Sequence, residues 1–229
     1  MSAAALLTHA HTVAVAVPDN IGRLIGKRLP AERYAEVEKA GLPMPDFHLA
    51  TAIDNTPIDG LEVSGMHLGL RNGVLRPDPG ALRPLPWSPG TVLALCDPYT
   101  AEGEPAEVAP RWVLRRQVER LERAGMAARV ATELEFYLFR GSYEELHRTG
   151  YRDLVPAYHL AADNDVLVAG WAEPVIGTIR RQMPDAGIPI EASQGEGGVG
   201  QHEIALAHAP PVEAADRHVV YKHGVKDIA

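Results

Sequence analysis

Cysteine is almost missing from this chain: Cys96 is the only one in 229 residues. A single thiol excludes a disulfide framework and a cysteine-rich zinc site, and it suits a reducing, cytoplasmic setting. No basic residue is near Cys96 in sequence, so it reads as a small core hydrophobe rather than a reactive thiol. Positive charge is also short, with 22 Lys and Arg against 30 Asp and Glu and a net charge of −8. Nucleic acids and anionic membranes are recognised by clustered Lys and Arg, so neither is expected as a main partner. An anionic substrate such as a nucleotide stays compatible, because a bound cation reverses the local field. Residues 1–17 carry no Lys or Arg ahead of their apolar positions and are interrupted by His9 and His11, so they read as neither a signal peptide nor a membrane span. The chain shows no internal repeat and no low-complexity tract.

What is present is ordinary globular material. Hydrophobic residues make up 46% and charged residues 23%, which excludes disorder and gives core enough for one large or two small domains. The 19 prolines and 21 glycines imply many turns. Residues 11–17 alternate as a strand, and residues 18–22 form a turn cluster. Residues 23–29 return, so the pair is expected to be a hairpin. Residues 30–40 predict a short helix stopped by Gly41. Residues 42–59 read as loop, residues 61–73 are weakly patterned, and Asn72-Gly73 signals a turn. Five prolines within residues 77–90 predict an extended, proline-rigidified loop. Residues 91–96 (T-V-L-A-L-C) predict a short buried strand, and residues 101–110 a domain boundary.

A helix is expected over residues 111–124, with Leu114, Val118 and Leu121 as its apolar stripe and Gly125 closing it. Its arginines alternate with glutamates, so they are expected to cover a solvated face. Residues 129–139 predict a strand with Glu133, Glu135 and Tyr137 on one side and Leu134, Phe136 and Leu138 on the other. Mixed signals fill residues 141–166. A helix follows over residues 173–187, with Val175, Ile176, Ile179 and Met183 inward. Residues 188–193 and 200–207 predict two strands joined by a glycine-rich turn, and residues 210–229 a last helix.

The chemistry concentrates in T-E-L-E-F-Y-L-F (132–139) and E-A-S-Q-G-E-G-G-V-G-Q-H-E-I-A-L (191–206). Acidic side chains on partly apolar strands need something positive to meet them. Glu133 and Glu135, two apart on one strand face, lie about 6–7 Å apart. Either each holds its own cation or both flank one; a plain solvent-exposed face is the alternative. The glycines between Glu196 and Glu203 permit a tight reversal that brings the two together, or simply a flexible surface hairpin. Carboxylates converging without Cys or several His suit Mg²⁺ or Mn²⁺ rather than zinc. Residues 195–200 match G-x-G-x-x-G literally, but a strand follows where a dinucleotide fingerprint requires a helix. His202-Glu203 opens H-E-x-x-H, yet position 206 is Leu, which removes a zinc-protease helix.

Together these segments resemble the glutamine synthetase family. T-E-L-E-F-Y-L-F is similar to that family's E-x-E-F-x-x-F strand, and E-G-G-V-G-Q-H-E-I to its E-x-G-x-G-Q-x-E hairpin. Residues 17–28, 74–97 and 109–121 resemble its opening hairpin, the end of its N-terminal domain and its first catalytic-domain helix. The resemblance implies an α+β chain, with a β-grasp-like domain over residues 1–107 and the first part of a catalytic α/β half-barrel over residues 108–229. It implies that Glu135, Glu196 and Glu203 form one complete cation position, Mg²⁺ or Mn²⁺, and that Glu133 is one ligand of a second cation on the nucleotide side. It further implies ATP-dependent amide formation from glutamate and ammonia or an amine, in a large oligomer. The family's acidic closing residue has no match in residues 69–73, and its downstream glycine-rich loop, His, Glu and arginines have none before Ala229. The chain therefore reads as the front half of such a ligase. A non-catalytic metal-binding homologue that co-assembles with a full-length synthetase is the alternative.

Overall fold

The computed structural model describes residues 3–62, 66–69 and 71–229. Residues 63–65 of the weakly patterned stretch, and Leu70 of the segment lacking the family's acidic residue, lie outside the described residues. A short helix, α1 (Ala3–Thr8), precedes the opening hairpin β1 (Thr12–Pro18) and β2 (Leu24–Pro30). The pair is antiparallel, with Thr12 opposite Pro30 and Pro18 opposite Leu24. A 3₁₀ turn at Ala31–Arg33 leads into α2 (Tyr34–Ala40), which Gly41 ends at φ 79°. Then come β3 (Leu42–Pro45), β4 (Asn72–Pro84) and β5 (Thr91–Tyr99). The five strands form one sheet in the order β2-β1-β5-β4-β3, with β1 and β5 parallel at its centre.

Three expectations are corrected here. The loop expected from residue 42 begins with a strand, because Leu42 and Met44 bury on the sheet while Pro43 points out. The turn expected at Asn72-Gly73 is the start of β4, with Gly73 opposite Met44. The proline-rich stretch is extended, as read, but most of it is strand rather than loop. Its register shifts between Pro77 and Leu82, which takes residues 78–81 out of the ladder. A missing proline N–H there costs no sheet hydrogen bond.

The second part contains α3 (Pro110–Arg123), β6 (Glu133–Tyr137), α4 (Tyr143–Arg148), α5 (Val166–Ala169), α6 (Glu173–Asp185), β7 (Ile190–Gly195), β8 (Gln201–Leu206) and α7 (Pro211–Ile228). Ser142 and Glu145 cap α4 reciprocally, side chain to backbone in both directions. The last three strands make an antiparallel sheet in the order β6-β8-β7.

Two apolar clusters organise the molecule. One covers a single face of the first sheet: Val13, Val15 and Val17 of β1 and Ala94 and Cys96 of β5 meet Tyr34 and Val37 of α2. Burial pushes the Cys96 thiol up to about 12, so it is the inert core residue expected. The other cluster lies between the two sheets' parts. Ala16, Leu93 and Leu95 from the first sheet pack with Ile176, Ile179 and Met183 of α6, Ile204 and Leu206 of β8, and Val220 and Tyr221 of α7. Every residue of β5 from Thr91 to Pro98 is buried, because both of its faces are covered.

A correction also applies to α3. Its arginines are not all solvated. Arg111 is 3% exposed and donates to both carboxylate oxygens of Asp216 (2.9 and 2.8 Å), to Asp97 and to Asp78 (2.9 Å). Arg115 reaches Asp78 at 2.7 Å and Asp97 at 3.0 Å. The network ties β4, β5, α3 and α7 into one piece.

Candidate functional site

The alternation of β6 sets the site. Glu133, Glu135 and Tyr137 are exposed on one side of the strand, while Leu134 and Phe136 turn toward the apolar cluster. On β8 the same alternation buries His202, Ile204 and Leu206 and leaves Gln201 and Glu203 on the carboxylate side. Antiparallel pairing puts Glu135 directly opposite Glu203, Tyr137 opposite Gln201, and Gln194 of β7 opposite Glu203 on the other flank. Glu196 follows β7 at the start of the turn; its N–H donates to the Gln201 carbonyl at 3.1 Å, and its own carbonyl accepts from Ala162 N–H at 3.3 Å. The hairpin therefore brings Glu196 and Glu203 to the sheet face that carries Glu133 and Glu135.

Electrostatics supports that placement. Burial, and then the charges of Glu133, Glu196 and Glu135, push the Glu203 carboxyl above its ordinary range. No ion pair among the described residues involves any of the four carboxylates. An acidic face without a counter-charge fits a hard cation by the chemistry of its donor set. Full convergence is not seen: among the described residues, no three His, Cys, Asp or Glu side chains stand close enough together to hold an ion.

Two glutamines account for the present side-chain directions. Gln201 Nε2 donates to Glu135 Oε2 at 2.6 Å. Its Oε1 accepts from the Tyr137 hydroxyl at 3.1 Å and from Gly198 N–H at 2.9 Å. Gln194 Nε2 donates to Glu196 Oε1 at 2.9 Å. Gly198 packs so closely on this arrangement that a Cβ there would run into the Tyr137 hydroxyl and Gln201 Oε1. Alternation along the sequence places Gln201 on the Glu203 side of its strand and says nothing of what Gln194 meets. Their amide partners depend on register across three strands, which alternation alone does not supply.

Other expected features fall elsewhere. His202 is buried behind the sheet, and burial lowers its basicity. His9, His11 and His208 are exposed. Asp78, the acid nearest the segment lacking the family's closing carboxylate, is committed to Arg111 and Arg115. A cavity of about 330 Å³ lies by Met44, Leu49, Val74 and Tyr99, and one of about 460 Å³ behind β7 by Arg180, Ser193 and His202. Neither is lined by the four glutamates, whose face is open.

A family model described as the catalytic domain of glutamine synthetase matches residues 107–229. The chain belongs to the glutamine synthetase family. It is 42% identical over 219 residues to the γ-glutamylethanolamide synthetase GlnA4 of Streptomyces coelicolor, a match covering 95% of this chain and 47% of that protein. It is 31% identical to a glutamate–isopropylamine ligase of a Pseudomonas species, covering 95% of this chain and 48% of the ligase. Among solved structures, one described as a novel glutamine synthase homolog superposes with a TM-score of 0.78 at 24% identity, over 96% of this chain and 49% of the other. Apo GmaS superposes at 0.76 with 26% identity, over 96% and 48%. The chain thus has a glutamine synthetase-type fold and spans about half the length of the relatives it matches. No helix among the described residues is long and apolar enough to cross a membrane.

Proposed function

We propose that this chain supplies the first metal-binding half of an ATP-dependent carboxylate–amine ligase of the glutamine synthetase type. The observation that carries the reading is the uncompensated carboxylate face. Glu135 and Glu203 are paired across β6 and β8, and burial, then the charges of Glu133, Glu196 and Glu135, push the Glu203 carboxyl up. In this reading Glu135, Glu196 and Glu203 hold one Mg²⁺ or Mn²⁺, and Glu133 contributes to a second on the nucleotide side. When bound, such cations neutralise the repulsion between a polyphosphate and a carboxylate. The chain's own residues fix the donors on a rigid sheet, and the glycines of the turn let backbone approach the ligand closely.

The overall chemistry is that of the family. The glutamate side-chain carboxylate takes the γ-phosphoryl group of ATP, and the nitrogen of the acceptor then displaces phosphate to form the amide. The products are the γ-glutamyl amide, ADP and phosphate. The relatives named for an ethanolamide and for isopropylamine support a small primary amine, alongside ammonia, as acceptor. We further propose a β-grasp-like first unit over residues 1–107, supported by the mixed five-stranded sheet, and a catalytic unit over residues 108–229, supported by α3 starting at Pro110. A cytoplasmic oligomer, either of this chain or with a full-length homologue, belongs to the same reading.

Two measurements test it. Titration of Mn²⁺ into the chain should give saturable binding that Glu203→Ala weakens by about tenfold or more. Equal affinity in the two would overturn the ligand assignment. ATP turnover with glutamate and ammonia, ethanolamine or isopropylamine tests the chemistry, with the chain alone and mixed with a full-length homologue. Intact Mn²⁺ binding without turnover in either setting would replace the ligase by a non-catalytic metal-binding homologue.

A further inference from the structure

The carboxylate face carries a feature that its proposed ligand set does not use. Two of the four glutamates each have one oxygen already taken by a neutral amide: Glu135 Oε2 by Gln201 and Glu196 Oε1 by Gln194. Gln201 is itself fixed at its other end by the Tyr137 hydroxyl and Gly198 N–H, so its amide cannot turn over without losing both. The close approach of Gly198 to Tyr137 and Gln201 locks the turn against the same pair.

We propose that Gln201, with Gln194, is a positioning residue that makes each of these carboxylates a one-oxygen ligand and thereby sets which cation the face accepts. The inference rests on the metal-binding reading above. Its physical basis is a difference between ions. Mg²⁺ and Mn²⁺ favour octahedral sites, and Mg²⁺ demands one oxygen per carboxylate at short range. Ca²⁺ takes six to eight oxygens and readily accepts both oxygens of one carboxylate. An amide that donates to one oxygen competes with a cation for that oxygen's lone pairs, so it disfavours the two-oxygen mode that Ca²⁺ readily takes and orients the remaining oxygen for the smaller ion. A neutral amide does this without adding charge to a face that already repels itself. Glu133 and Glu203 have no such partner among the described residues, so the control is exerted at Glu135 and Glu196.

The test is the ratio of Mn²⁺ to Ca²⁺ affinity, measured by calorimetry and by Ca²⁺ competition against the Mn²⁺ paramagnetic signal. Gln201→Met keeps the length of the side chain and removes the amide. Its Mn²⁺ affinity should fall about tenfold while Ca²⁺ affinity holds or rises, so that the ratio falls about tenfold or more. Gln194→Met should shift the ratio in the same direction. Tyr137→Phe, which leaves Gly198 N–H on Gln201, should shift it by less. Should Gln201→Met fail to fold, Gln194→Met and Tyr137→Phe carry the test. A general loosening of the fold weakens both ions together, so an unchanged ratio in the folded variants overturns the positioning role even if Mn²⁺ affinity drops. Loss of the metal-binding reading looks different: wild type that binds no Mn²⁺, or binds it as well after Glu203→Ala, removes that reading and this inference with it.

Discussion

Glu203 on β8 faces Glu135 on β6 and has Glu133 and Glu196 in its field, and its carboxyl is held above the ordinary range by burial and those charges. In the unfolded chain it titrates at its usual value. Between the two values the folded state binds more protons, so this residue lowers stability as pH rises through that window, and the penalty remains above it. Glu203→Gln should therefore stabilise the metal-free chain at pH 7, by about 0.5 kcal/mol or ~1–2 °C in Tm, and leave it unchanged below pH 4. Thermal melts at the two pH values decide this; a Tm that falls at pH 7 sinks the electrostatic account. The same variant should lose Mn²⁺ affinity, which separates a residue kept for binding from one kept for stability. The alternation that puts Glu133 and Glu135 on one side of β6 was readable in the sequence, because period two is a local property, whereas bringing Glu196 and Glu203 to that face depends on the strand pairing. The amide partners were not, since Gln201 meets Glu135 only through the β6–β8 register.

Among the elements, α3 joins the two parts most directly, through Arg111. Its guanidinium is buried with Asp216, itself 3% exposed, and with Asp97 and Asp78. Burial alone would raise the Asp78 carboxyl, but hydrogen bonds from Arg111 and Gly80 and the charges of Arg111 and Arg115 outweigh it and hold it low. Its contribution to stability is therefore present above the unfolded value and lost as pH falls through the lowered one. Arg111→Met leaves buried aspartates without their counter-charge and should cost about 3–5 kcal/mol in denaturant unfolding. Adding Asp216→Leu should recover a good part of that loss, because an apolar pair of similar bulk is tolerated where half an ion pair is not. A double variant as unstable as the single one contradicts this. The sequence showed α3 and its boundaries, set by Pro110 and Gly125. It could not show that one arginine of a mixed run is buried, since the aspartates that receive it stand at 78, 97 and 216. Likewise β1 and β2 were legible as neighbours joined by a turn, whereas the parallel pairing of β1 with β5 spans far more chain. The prolines of β4 concealed a strand, and the register shift between Pro77 and Leu82 takes Pro79 out of its ladder.

At the scale of the molecule, the proposed boundary after residue 107 divides the architecture but not the core. Leu93 and Leu95 on β5 are buried against α6, β8 and α7, and Trp87, between β4 and β5, packs on the same cluster. A first unit cut free at that boundary would expose this face of its central strand, and the carboxylate sheet would lose its backing. The two parts should consequently unfold together, although a chain of 229 residues has room for two independent transitions. Leu95→Ala, deep in the first sheet, should cost about 2–5 kcal/mol through the cavity it leaves. It should displace the whole unfolding curve rather than one limb of it. Far-ultraviolet circular dichroism and fluorescence from Trp87, Trp112 and Trp171 report on both parts, so their midpoints should coincide in wild type and shift together in the variant. Two separated transitions, with only the earlier one moved by Leu95→Ala, would mean that each sheet keeps a core of its own. Coincident shifts would mean that the backing of the carboxylate face is held in place by residues of the first sheet. Mn²⁺ affinity would then respond to substitutions in β5 that touch none of the four glutamates.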